Sequence, residues 1–300
     1  MERDLSPKEI KDHNYLKLSA DKIREHLSKV MEAEAQSSKR WVWELMQNAK
    51  DIPNKYGKVS IKIDLTANKL IFSHNGNPFS LENVIGLVQQ TSSKNSTNND
   101  KNVTGKFGTG FISTHILSKK ITVKGYVLYN GIHRKLNIIL DRESDSSEDL
   151  IPKIKRALDL MDQIEDNQLF PIKHNYEYNR SELSFDTLFE FELLSDKSKK
   201  LATDGIDDLV NTLPQTLINL KEIKKVTVTN NGIPKIYEKK EIFTRNNVTA
   251  YEVVISNLES KKFLSYRRDE ITLAIEVNSF NPITLIKHFG QQPNLFRDFP

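Results

Sequence analysis

Three short segments carry the residue types that do chemistry. In WELMQNAKD, residues 43–51, Glu44, Asn48 and Asp51 recur at i, i+4 and i+7, so on a helix they share one face. A carboxylate, an amide oxygen and a second carboxylate in that row suit a hard cation such as Mg²⁺ and leave a base for water. The plain alternative is a solvated polar face, with Val42, Leu45 and Ala49 packed on the opposite side. SHNGNPF, residues 73–79, follows a strand pattern; Asn75-Gly76 marks a tight turn and Pro78 stiffens its exit. TGKFGTGF, residues 104–111, offers three glycines whose N–H groups face outward at the start of a helix, where phosphate is favoured, with Lys106 adding charge. It is neither a Walker A loop nor a Rossmann fingerprint. Taken alone, the second segment is also an ordinary strand-to-helix loop and the third a glycine-rich hinge. Five of the 11 glycines (Gly76, Gly86, Gly105, Gly108, Gly110) crowd into residues 76–110, which marks that stretch as the place where backbone approaches a ligand.

Elements must hold these segments. Residues 1–15 read as a polar arm. Ile23, Leu27, Val30 and Met31 predict a helix over 19–35, and a second helix spans 37–51, stopped by Pro53 and Asn54. Alternating Val59, Ile61, Ile63 and Leu65 predict a strand over 58–65, returning over 69–73 after Ala67-Asn68. Ser80 caps a short helix over 81–90. TSSKNSTNNDKNVT, residues 91–104, has a single apolar residue and reads as a long polar loop. A helix over 108–117 follows, then strands over 120–129 and 132–140 joined by Asn130-Gly131, a hairpin signal. The spacing next predicts a helix over 150–164, a strand over 185–193 and a helix over 199–220 that contains Pro214. Strand segments over 223–230, 233–242, 249–257 and 262–278 complete the chain, with Asn231-Gly232 another hairpin turn.

Composition narrows the class. The chain has 300 residues, no Cys and a formal net charge of +4. Disulfide scaffolds, thiolate metal sites and cysteine catalysis are thereby excluded. The charge is weak for a nucleic-acid binder, which needs a clustered basic face. The N-terminus lacks the apolar core of a signal peptide, and no run approaches the roughly 20 apolar residues of a membrane helix, so the expected compartment is cytoplasmic. The final FGQQPNLFRDFP has no stop signal, and the chain reads as a piece of a longer protein.

Order and spacing are more specific than any single segment. A helix with E-x-x-x-N-x-x-D, two strands, an N-G turn, a polar loop and G-x-F-G-x-G-F together resemble the GHKL ATPase superfamily, which includes gyrase-type topoisomerases, the large heat-shock chaperone, histidine kinases and MutL. The resemblance covers about residues 20–195 and is strongest over 41–111. The wording HNGNPF and TGKFGTGF looks most like the sacsin-type, chaperone-like branch.

The resemblance implies a Bergerat fold: an α/β, or α+β, two-layer sandwich whose mixed, mainly antiparallel sheet carries helices on one face and an ATP lid. It implies an ATP-binding domain over 1–195, with the lid at 91–106. Residues 196–300 either complete that domain or begin a transducer. Glu44 then stands at the general base, Asn48 at the Mg²⁺-ligating asparagine, and Asp51 near the ribose and lid. Gly105, Lys106, Phe107, Gly108, Thr109, Gly110 and Phe111 form the glycine box that cradles phosphates. Thr187 in FDTLFEF matches a threonine that reaches adenine through water. One departure stands out: His74 occupies the place of the family's adenine-binding Asp, beside Gly76, and Pro78 replaces a glycine. A neutral imidazole nitrogen can accept one hydrogen bond, so adenine recognition can survive; the alternatives are a contribution from Asn75 or relaxed base selectivity. The implied activity is Mg²⁺-dependent ATP binding with slow hydrolysis, driving conformational change or dimer clamping. Family members take a γ-phosphate Lys or Arg from a following domain, and neither Lys94 nor Lys106 nor the Arg267-Arg268 pair is a good substitute. The competing readings are a non-catalytic, nucleotide-gated interaction module and a DNA-acting ATPase.

Overall fold

A computed structural model describes residues 6–33, 38–90, 110–165, 184–256, 259–268, 271–280 and 295–296. The chain enters as helix α1 (Pro7–Glu32) rather than as an arm. The Ser6 N–H donates to the Glu9 carboxylate at 2.8 Å, and the Glu9 N–H donates to the Ser6 hydroxyl at 3.3 Å. Ser6-Pro7-Lys8-Glu9 is thus a capping box with proline in the first turn. Apolar periodicity cannot find this start, because the buried residues of α1 begin only at Ser19.

Helix α2 (Arg40–Lys50) buries Trp41, Val42, Leu45, Met46, Asn48 and Ala49. Strands β1 (Val59–Leu65), β2 (Lys69–His74) and β3 (Phe79–Ser80) lead into α3 (Leu81–Gln89). Ser80 caps α3 in a capping box completed by the Asn83 amide. The helix expected over 108–117 is a 3-10 helix, Phe111–Ile116. Hydroxyls enforce its tighter winding: Ser113 Oγ donates to Gly110 O at 2.8 Å and Thr114 Oγ1 to Phe111 O at 2.7 Å. Next come β4 (Lys120–Tyr129), β5 (Ile132–Asp141), α4 (Ser147–Glu165), β6 (Thr187–Glu192) and α5 (Asp196–Asn219). A meander of β7 (Ile223–Asn230), β8 (Ile233–Arg245), β9 (Val248–Ile255), β10 (Glu259–Arg268) and β11 (Ile271–Val277) follows, with β12 (Leu295–Phe296) at its edge. The stretch read as one segment over 262–278 is therefore a hairpin.

All strands join one sheet in the order β12-β11-β10-β9-β8-β7-β1-β2-β6-β4-β3, with β5 on β4. Neighbours are antiparallel except β1 with β7 and β3 with β4. The sheet runs without a break across residue 196. One face carries the apolar core under the helices. The other is polar: Lys69 and Lys124 flank Glu190 at 2.6 and 3.1 Å across β2, β6 and β4. The fold is thus mixed α/β, a mostly antiparallel open sheet with helices, as the resemblance implied.

Candidate functional site

Helix α2 is held by its two tryptophans. Trp41 Nε1–H donates to Leu201 O at 3.2 Å, and Trp43 Nε1–H reaches Asp208 Oδ2 at 3.4 Å, both on α5. These two bonds fix α2 against α5. Glu44 keeps only 15% of its side chain exposed. Arg40 Nε lies 2.8 Å from its Oε1, an i,i+4 ion pair. The other oxygen faces residue 110: a Cβ built on Gly110 would fall 2.1 Å from Glu44 Oε2. No side chain fits there, so the last glycine of the box touches the helix because it is glycine. The spacing therefore meets in space, and Glu44 lies against Gly110.

Asn48, one turn further on, is 5% exposed, and its Nδ2 has no hydrogen-bond partner among the described residues. An unpartnered buried amide costs about 1–3 kcal/mol, which a ligand oxygen or a cation on the flipped amide would remove. Asp51 ends α2 as its C-cap, with its N–H donating to Gln47 O at 3.1 Å. Among the described residues no cluster of three His, Asp or Glu could hold a metal by itself. A cation on Asn48 would therefore need most of its ligands from phosphate and water, the usual Mg²⁺ arrangement.

The far end of α2 meets the SHNGNPF turn. Asn77 N–H donates to Ile52 O at 2.9 Å, and a Cβ on Gly76 would lie 2.4 Å from that same oxygen. His74 closes β2 and Thr187 opens β6; they stand directly opposite one another in register, each 1% exposed. Two residues from distant parts of the sequence thus share one buried spot beneath the helices.

His74 differs from its expected role. The Gly76 N–H donates to its Nδ1 at 3.1 Å, which makes Nδ1 the acceptor. The neutral ring then carries its proton on Nε2. Nδ1 as an acceptor for an adenine amino group, the role foreseen for this ring, is therefore already taken by Gly76. Asn75 is equally committed, since its Oδ1 accepts the Ser60 N–H at 2.6 Å.

Phe111 is 1% exposed and packs on Phe189 with ring centroids 5.4 Å apart, so its side chain belongs to the core. The six-residue 3-10 helix is too short to favour phosphate at its start as the expected helix would, which leaves glycine backbone as the basis for a cradle. Gly105, Lys106, Phe107, Gly108, Thr109 and the 91–106 lid lie outside the described residues. Arg40 was missed from the sequence, although its i,i+4 spacing to Glu44 is a readable signal. Arg267 and Arg268 sit exposed at the end of β10.

Behind the site, Arg142 is buried and its Nη2 donates to Leu87 O at 3.3 Å and to Val88 O at the end of α3. Burial pulls its pKa down to about 10, so it remains charged at neutral pH. His115 of the 3-10 helix is 1% exposed; burial first, then Arg142, lowers its pKa to about 3, so it is neutral. A cavity of about 490 Å³ between α4 and the polar face of β4 and β5 shares no residue with this site. Its lysines are already paired: Lys120 with Glu143 at 2.6 Å, Lys124 with Glu190 and Lys153 with Asp141 at 3.3 Å.

The family model described as "Histidine kinase-, DNA gyrase B-, and HSP90-like ATPase" matches residues 35–169. The matched span contains α2, the His74 turn and Gly110. It supports the GHKL superfamily and, with it, ATP binding in general. No curated protein matches the chain. No helix among the described residues is long and apolar enough to cross a membrane.

Proposed function

We propose that this chain binds ATP with Mg²⁺ and hydrolyses it slowly, using the free energy for conformational change or dimer clamping within a larger protein. The contact of Glu44 with Gly110 carries the reading, because it sets a base beside the backbone expected to cradle phosphate. Glu44 takes a proton from water as general base, and Arg40 orients the carboxylate by holding Oε1. Asn48 holds the cation through its amide oxygen. The bound Mg²⁺ would neutralise phosphate charge and polarise the phosphoryl group. Asp51, His74, Gly76 and Thr187 line the nucleoside end. Gly105, Lys106, Phe107, Gly108 and Thr109, with Gly110 and the Phe111 backbone, complete the phosphate cradle, under a lid at 91–106. The catalytic charge from another domain that the family relies on is left to a partner or to further chain, so turnover is slow.

Residues 196–300 belong with the ATP-binding domain in this reading, because β7 pairs with β1 and α5 carries α2. The chaperone-like branch and a cytoplasmic setting rest on the resemblance alone. Isothermal titration of ATP and ADP, with and without Mg²⁺, tests the proposal. Wild type binds ATP in a Mg²⁺-dependent way, and Asn48→Ala loses that dependence; absence of binding by wild type sinks the reading. The departures at His74 and Pro78 favour a second reading, in which nucleotide gates an interaction without being hydrolysed. Phosphate release that is unchanged in Glu44→Ala would select it.

A further inference from the structure

We infer that the cavity between α4 and the polar face of β4 and β5 is a second ligand site, built for a small amphiphile with one anionic group, such as an aliphatic carboxylate. It shares no residue with the site at Glu44 and does not rest on the nucleotide reading.

Two periodicities build its walls. On α4, Lys153, Arg156, Ala157 and Leu160 stand at i, i+3, i+4 and i+7, so they form one stripe of the helix. On the strands, Lys120, Thr122 and Lys124 alternate onto one face and oppose Asp141, Ile139 and Asn137 in direct register. The space between, about 490 Å³, falls within the roughly 300–1,000 Å³ of small-molecule sites.

Its residue types select the ligand. Ile139 is the apolar member of a polar strip and is 54% exposed, while the helical wall supplies Ala157 and Leu160. An apolar ligand body laid against Ile139 and Leu160 removes surface from water that the chain alone leaves wet. The charges are uneven. Lys120 meets Glu143, Lys153 meets Asp141, and Lys124 shares Glu190 with Lys69. Arg156 has no ion pair or hydrogen bond among the described residues, and Asp159 three positions on makes none with it. The lining thus offers one uncompensated cation, a guanidinium whose paired N–H groups match a carboxylate. Thr122 and Asn137, whose side chains bond no described residue, add a hydroxyl and an amide. A second anionic group finds no open cation there and faces Asp141, so a polyphosphate is a poor fit.

Isothermal titration of decanoate into the full chain tests this. Wild type is expected to bind one decanoate per chain. Arg156→Gln should weaken binding about tenfold or more, the scale of a lost hydrogen bond to a charged group. Ile139→Gln should weaken it as well, and both positions are exposed, so both variants are expected to fold. Decanedioate, which brings a second carboxylate to the apolar wall, should bind about tenfold or more weakly than decanoate. Absence of saturable decanoate binding by wild type overturns the inference. Unchanged binding in an Arg156→Gln protein that melts as wild type also overturns it, because the amphiphile then sits elsewhere. Equal affinity for decanoate and decanedioate overturns it too.

Discussion

In the proposed reaction Glu44 is the general base, and its two oxygens face different groups. Oε1 is held by Arg40, and Oε2 is turned to Gly110. Glu44→Gln should keep nucleotide affinity within a few fold while phosphate release falls by roughly 10² or more, since a positioned base contributes at least that much. Gly110→Ala forces a methyl into the carboxylate; it should reproduce the loss of turnover by displacing Glu44, and single-turnover phosphate release would show this. Arg40→Ala should lower turnover more than affinity, because Arg40 acts through Glu44. His115 gives a pH dependence to stability. Its folded pKa, about 3, lies below the ordinary value of 6.5, so the unfolded chain takes up the proton first. Its contribution is complete above pH 6.5 and is lost as pH falls toward 3. Melting temperatures should therefore drop from pH 7 to pH 5, and His115→Gln should flatten that slope.

Among the elements, α2 is the one whose placement decides the site, and α5 decides the placement of α2. A Cβ on Gly205 would lie 2.3 Å from Trp41 Nε1. Gly205→Ala should destabilise the chain by about 1–3 kcal/mol through overpacking, read by urea unfolding, and should weaken nucleotide binding by tilting α2. The face shared by Glu44, Asn48 and Asp51 was legible in the sequence because helical spacing is local. The start of α1 was equally legible in Ser6-Pro7-Lys8-Glu9, but only to a reader of caps rather than of apolar spacing. The 3-10 winding of Phe111–Ile116 was hidden, because it depends on which carbonyls the Ser113 and Thr114 hydroxyls choose. The His74 proton was hidden as well. It is set by a turn docking on Ile52, a contact between elements that residue types do not announce.

At the scale of the whole molecule, the parallel pairing of β1 with β7 joins the matched span to the C-terminal meander. Local patterns located both strands within a residue or so, yet nothing in either names the other as partner, since parallel pairing has no turn to declare it. Ending the chain at residue 195 would leave β1 an open edge and remove α5 from Trp41. The shortened protein should be recovered mainly as aggregate, and comparing soluble yields of the two lengths checks it. The same pairing sets a timetable for biosynthesis. Lys58, at the entry to β1, bonds Lys221 across 163 positions. At about 5–20 residues per second, a ribosome needs roughly 10–30 s to deliver β7 after β1 emerges. Throughout that interval β1 has no partner on its β7 flank, so the sheet that positions α2 is completed only once residue 230 has been made.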